Sequence, residues 1–250
     1  MGVEIYAINL RKKLEITDPP FSPKIAFQKL GVIYQESPLE GCLGTTVRIP
    51  GGPSGVIVSS AIAEVGKINF TAAHELGHLT IPSHANQTFR CDESSLNWFK
   101  SKANPQELEA NEFAAEWLLP KDVFRAKTRG RDPGFSLILD LCSTFETTIT
   151  ATATRLVELT DHQMMLVVST DNQMKYFKRS HDFPYFLDFG ATPKTAVRRV
   201  ASEEISQDDY LTVESDMWFK GRQPASGEVY EWSLKLRDYP TVLTLLWVGE

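Results

Sequence analysis

Hydrophobic and polar positions divide the chain into a mixed first part and a strand-rich last part, with the change of rhythm near residue 162. Pro23 to Leu30 (PKIAFQKL) predicts a helix with proline in its first turn. Alternating apolar positions around Val32 and Ile33, then Thr46-Val47-Arg48-Ile49 and Gly55 to Ser59, predict short strands. Turn signals at Ser37-Pro38, Gly51-Gly52-Pro53 and Ser54-Gly55 separate them. The next stretch, NFTAAHELGHL, has Asn69 as a plausible N-cap, and Pro82 stops it, which predicts a helix over roughly 70–80. Residues 83–104 read as polar and irregular. Asn104-Pro105 then caps and starts a second helix, ELEANEFAAEWLLP, that runs on to Pro120, with Lys121 to Thr128 as a further short one.

Residues 135–160 have helical spacing through Leu137, Leu141, Phe145, Ile149, Ala153, Leu156 and Leu159. Beyond Met164 the texture changes to strands: Met164 to Ser169, Lys175 to Lys178, Tyr210 to Val213, Val229 to Trp232 and Thr241 to Trp247. Phe183, Tyr185, Phe186, Trp218, Trp232 and Trp247 there read as core aromatics, with a pocket lining as the alternative.

Composition narrows the partners. The chain has 250 residues, 42% of them hydrophobic and 23% charged, which is enough apolar surface for a folded core. Its net charge of −6 gives no overall positive field for nucleic acid or an anionic membrane. No apolar run approaches the roughly 18 residues of a membrane span, so a cytoplasmic protein is expected. Cys42, Cys91 and Cys142 form no C-x-x-C pair and read as buried, reduced thiols, with a site role for Cys91 as the alternative.

The chemistry concentrates in H-E-L-G-H. Residues four apart on a helix share a face about 6 Å apart along the axis, so His74 and His78 can aim ring nitrogens at one metal ion. Glu75 then projects beside that ion, placed to take a proton from the water that a zinc ion activates. Gly77 offers a place for close approach by sheet or substrate. A catalytic zinc takes three protein ligands, and the later helix holds candidates for the third. Glu107, Ala110, Asn111, Ala114 and Leu118 fall in one stripe, and Glu109, Glu112 and Glu116 in another that reads as a solvated face. Glu107 is the expected ligand; a capping box with Asn104, or Glu109 as ligand instead, are the alternatives. Asn111, one turn on, is placed to orient a ligand histidine. His84, His162 and His181 receive no role. Val56-Ile57-Val58 is the candidate sheet edge for an extended substrate.

The paired motifs, F-T-A-A-H-E-L-G-H at 70–78 and E-L-E-A-N-E-F-A-A-E-W-L-L-P at 107–120, resemble the ImmA/IrrE family of metallopeptidases over roughly residues 25–160. The resemblance implies zinc held by His74, His78 and Glu107, with Glu75 as base and Asn111 in support. It also implies cleavage of helix-turn-helix repressors, in the setting of stress response, mobile elements or toxin–antitoxin pairs.

The expected architecture is α+β. A zincin-like metallopeptidase domain (1–132), with a small N-terminal sheet and an active-site helix, leads to a helix-turn-helix-like segment (133–161). A mainly antiparallel C-terminal domain (162–250) follows, whose role stays open between a core-building module and a sensor. Between Ser136 and Thr160 the only basic residue is Arg155, against Asp140, Glu146 and Glu158, so direct nucleic-acid binding is not expected. The leading function is a zinc-dependent endopeptidase acting on a protein substrate. The alternative is a non-proteolytic, partner-binding protein on a zincin scaffold.

Overall fold

The computed structural model describes residues 2–49, 51–85, 89–91, 104–187, 210–219, 228–236 and 240–248. Much of the stretch read as polar and irregular, 83–104, lies outside them. Two units emerge: Met1–Ala126 with Leu141–Thr148, and Lys127–Asp140 with Ile149–Glu250.

The first unit opens with α1 (Glu4–Lys13), a helix that the apolar rhythm does not announce. Its ends suit the helix dipole, with Glu4 in the first turn and Arg11, Lys12 and Lys13 in the last, and it buries Ala7 and Leu10. α2 (Pro23–Leu30) follows, starting on its proline and stopping at Gly31, whose φ of 69° is the left-handed cap that glycine adopts without strain.

A four-stranded sheet is built from β1 (Ile33–Ser37), β2 (Gly44–Arg48), β3 (Ser54–Ser59) and β4 (Arg90–Cys91), in the order β1-β3-β2-β4. β1 runs parallel to β3, and β2 is antiparallel to both β3 and β4. Val56 and Val58 of β3 are fully buried, and β3 is paired on both sides. This overturns Val56-Ile57-Val58 as the substrate edge, because an interior strand has already given its backbone groups to its neighbours. β2, like β3, borders the histidine helix.

That helix, α3 (Val65–Thr80), packs on β2 and β3 and is longer than the cap signal predicts. Asn69 is no cap: its side chain donates to the Glu146 carbonyl at 3.0 Å, and the helix begins a turn earlier. Gly66 permits the early start, since a Cβ there would lie 2.5 Å from the backbone of Thr147 and Thr148. At the other end Ile81, held extended before Pro82, breaks the helix as expected. α4 (Pro105–Leu118) packs against α3, and α1 against α4. α5 (Lys121–Thr128) buries Phe124. Trp117 of α4, with no exposed surface, donates its indole N–H to the Phe21 carbonyl at 2.8 Å, tying the helix to the N-terminal segment.

α6 (Phe135–Phe145) and α7 (Ile149–Leu159) are joined by a turn in which Glu146 takes φ 52°. α7, the second helix of the helix-turn-helix-like segment, buries Thr152, Ala153, Leu156, Val157 and Leu159 and packs on β5 and β6. Arg155 is itself buried and pairs with Glu158 at 3.3 Å.

The second unit holds a five-stranded antiparallel sheet of β5 (Met164–Thr170), β6 (Gln173–Arg179), β7 (Leu211–Glu214), β8 (Glu228–Lys235) and β9 (Thr241–Trp247), ordered β6-β5-β9-β8-β7. Asp171 and Asn172, both at positive φ, make the tight turn between β5 and β6 that matches strand twist. Met165, Val167, Val213, Val229 and Leu246 form a core with Phe183, Trp218 and Phe219. Tyr230, Trp232 and Trp247 make a separate set of ring contacts. Of the aromatics read as core, Phe186 is the exception: it is 61% exposed, with the Arg179 guanidinium 4.3 Å from its ring centre. No described helix is long and apolar enough to cross a membrane.

The Gly66 contact gives a direct check on the start of α3. Gly66→Ala should destabilise the protein by about 1–3 kcal/mol through overpacking against backbone that cannot rotate away. An unchanged chemical denaturation midpoint would show that the close approach is absent.

Candidate metal centre

The middle of α3 is buried on all sides, from Thr71 through His78. An all-round buried helix normally carries apolar side chains, yet this one carries His74, Glu75 and His78, each with no exposed surface. Polar groups taken out of water need partners within the protein, and they find them in four other segments.

α4 comes close enough to supply two because Gly77 has no side chain. A Cβ at Gly77 would meet the Phe113 ring at 3.2 Å and the Ala110 Cα at 3.3 Å. Close approach at Gly77 was expected from sheet or substrate; it is helix α4 that makes it. The Glu107 carboxylate then lies 3.0 Å from His74 Nε2 and 3.7 Å from His78 Nε2. Asn104 caps α4 by accepting from the Gln106 N–H, while Glu107 turns to the histidines. The capping-box alternative is thereby displaced.

The outer ring nitrogens define which tautomers are present. His74 Nδ1–H donates to the Asn111 Oδ1 at 2.9 Å. His84 Nε2–H donates to the Glu109 carboxylate at 2.9 Å, leaving its Nδ1 to accept from His78 Nδ1–H at 3.0 Å. His74 and His78 therefore both turn a bare Nε2 inward, and these two atoms are 3.0 Å apart. Cys91 of β4 joins them, its Sγ 3.2 Å from His74 Nε2, 3.6 Å from His78 Nε2 and 4.0 Å from Glu107 Oε1.

These donors fit a metal ion. The ligand atoms of His74, His78, Cys91 and Glu107 all lie within 4.8 Å of one another, and all four residues are buried. Zinc bond lengths of about 2.0–2.3 Å place tetrahedral ligand atoms about 3.3–3.8 Å apart, close to the separations seen here. Two imidazole lone pairs, a carboxylate and a thiol hold at most one proton among them, and a divalent cation bound by a thiolate displaces even that.

The electrostatics point the same way. Burial pushes His78 down to about 4, so its ring is neutral. Burial pushes Glu107 up, but its nearness to His74 and His78 outweighs this and holds the carboxyl well below the usual range. Burial, with the carboxylates of Glu75 and Glu107, drives the Cys91 thiol far up.

Glu75 sits beside this cluster, against β2. Its Oε2 accepts from the Thr46 hydroxyl at 2.6 Å, and its Oε1 has no hydrogen-bond partner among the described residues. Burial raises its pKa, partly offset by the neighbouring His74 and the Thr46 bond. Gly44 makes room for it, because a Cβ there would lie 2.7 Å from Glu75 Oε1. At the far end of the motif Arg48 donates to the His78 carbonyl at 2.5 Å.

All five residues singled out from the sequence, His74, Glu75, His78, Glu107 and Asn111, thus meet in one place. Four more belong there, of which only Cys91 and Glu109 enter the sequence reading, as lesser alternatives. Cys91 has no paired cysteine to flag it, His84 lies past the helix break, and Glu109 stands in the row read as solvated. Thr46 is one of many strand threonines. That row is not solvated throughout: Glu116 is 4% exposed, accepts from the Lys121 N–H at 3.3 Å and pairs with Arg11 at 3.7 Å. The unannounced helix α1 covers it.

The sequence profile of the IrrE N-terminal-like domain of peptidase family M78 matches residues 28–157, just over half of the chain. The chain belongs to the M78 peptidase family. No curated protein matches this M78 chain by sequence. Among solved structures, a "Mycobacterium tuberculosis transcriptional regulator" shares its fold with a TM-score of 0.59 at 12% identity, covering 98% of this chain and 87% of that one. Membership of the family and the buried donor cluster together suggest metallopeptidase activity.

The M78 protein should copurify with about one divalent transition metal ion per chain, measured by elemental mass spectrometry. Chelation should lower its thermal midpoint, since an ion held at about a thousand times its Kd stabilises the folded state by about 4 kcal/mol. A metal-free protein with the same midpoint before and after chelator would contradict the site.

Proposed function

We propose that this M78 protein is a zinc-dependent endopeptidase in which His74, His78 and Glu107 hold the ion and Glu75 is the general base. The observation that supports it most is the position of Glu75. Its carboxylate is buried next to the donor cluster, with one oxygen fixed by Thr46 and the other unengaged. A carboxylate in that state is poised to accept a proton.

Zinc, when bound, lowers the pKa of a coordinated water towards about 7 and polarises a peptide carbonyl. Thr46 holds Oε2, so Oε1 takes the proton from the attacking water and returns it to the leaving amine. Asn111 keeps His74 in the tautomer whose Nε2 is bare, and the His84–Glu109 pair does the same for His78. An extended substrate pairs its main chain along β2, which borders Glu75 through Gly44 and Thr46, on the side that the two-residue strand β4 now holds. The substrate class is a protein, with a helix-turn-helix repressor as the reading that family resemblance favours, and the setting is cytoplasmic regulation or stress response.

One observation favours the second reading, a partner-binding protein on a zincin scaffold. Four protein donors rather than three surround the common point, as in structural zinc sites.

Glu75→Gln should keep its zinc and lose hydrolysis, whereas Glu107→Ala should lose zinc; cleavage undiminished in Glu75→Gln would defeat the mechanism. Asn111→Ala should weaken zinc binding about 10–100-fold in competition with a chromogenic chelator, with the fold retained. Affinity equal to that of the parent protein would remove Asn111 from the site.

A further inference from the structure

We propose that Cys91 is the fourth ligand of the metal centre, and that the strand carrying it occupies the place of substrate on β2. On this view the folded chain is a latent peptidase; the latency rests on the hydrolase reading above, the ligand assignment does not.

Catalytic zinc sites keep one coordination place open, and closed sites have four protein ligands. Cys91 Sγ stands 3.2 Å from His74 Nε2, 3.6 Å from His78 Nε2 and 4.0 Å from Glu107 Oε1, with no exposed surface. It takes the one place that water needs.

The backbone of the same segment takes the place that a substrate needs. β4 pairs antiparallel with β2 through Gly44↔Cys91 and Thr45↔Arg90. Leu43 N–H donates to the Cys91 carbonyl at 2.7 Å, and the Thr45 hydroxyl to the Phe89 carbonyl at 2.8 Å. β2 is the strand beside Glu75, so a bound peptide would compete for these groups. Phe89 covers the centre as well, its ring stacked on His78 with centroids 3.7 Å apart.

Three obstructions therefore come from Phe89 to Cys91 alone: a thiolate ligand, an edge strand and a covering ring. The ladder that holds them is two residues long, the kind of short edge that opens locally without unfolding the domain. Opening breaks the bond from metal to sulfur with the electron pair staying on Cys91. The sulfur takes a proton from solvent, and water enters the vacated place. No oxidant is required.

The test uses the full chain loaded with cobalt(II), then with zinc. Cobalt in the parent protein should show a sulfur-to-cobalt charge-transfer band in the near ultraviolet. Cys91→Ala and the closer-fitting Cys91→Ser should both lose it, with far-ultraviolet circular dichroism confirming that they fold. Added acetohydroxamic acid should shift the visible cobalt bands of the two variants and leave the parent spectrum unchanged.

A parent protein without the band, or variants that keep it, would overturn the ligand assignment. A parent spectrum that shifts as readily as the variants would overturn closure. With zinc, the variants should cleave fluorescent casein several-fold faster than the parent, and adding Glu75→Gln should abolish the gain. Variants that lose the band and open to hydroxamate yet cleave no casein support the ligand assignment and count against the peptidase reading. Equal, Glu75-dependent cleavage by parent and variants keeps the peptidase and overturns the latency.

Discussion

Electron-pair donors gathered without water are the constraint on which the first unit depends. His74, His78, Glu107 and Cys91 come from one helix, its neighbour and a two-residue strand, and all turn toward one point. The neutral ring of His78 and the low-lying carboxyl of Glu107 leave electron pairs that a shared proton does not satisfy. A cation would resolve the conflict, and its binding would then add to the stability of the fold.

Much of the local architecture serves that convergence. Glycine removes side-chain bulk at two places where other atoms must come near. Gly77 lets α4 approach, and Gly44 leaves space for the Glu75 carboxylate. An outer layer holds the rings in place: Asn111 behind His74, and His84 with Glu109 behind His78. β2 connects the parts, offering Thr46 to Glu75, Arg48 to the end of the histidine motif, and its edge to the segment that carries Cys91. The second unit has another logic: an antiparallel sheet with Phe183, Trp218 and Phe219 in its core, and α7 laid on β5 and β6.

The site was legible wherever a helical period governs it. His74 and His78 share a face because they stand four apart, and the stripe of small residues on α4 singles out Glu107 and Asn111. It was illegible where the partner is distant in sequence and no period links the two. Cys91 belongs to a strand too short to show alternation, and its neighbours along the chain bear no relation to its neighbours in space. Glu109 and Glu116 illustrate the complementary failure. Charge at helical spacing implies water only if nothing else covers that side, and α1, whose apolar rhythm is weak, covers Glu116.

Sequence by itself therefore determined the helices other than α1, the strands of the second sheet, the family and the core of the donor set, since these follow from spacing along a regular backbone. Tertiary structure decided the order of strands, and with it which strands lie inside the sheet. It also decided that a cysteine from a two-residue strand completes the donor set. Both are outcomes of long-range packing, in which the competition between backbone partners and the cost of burying unpaired polar groups outweigh any local preference.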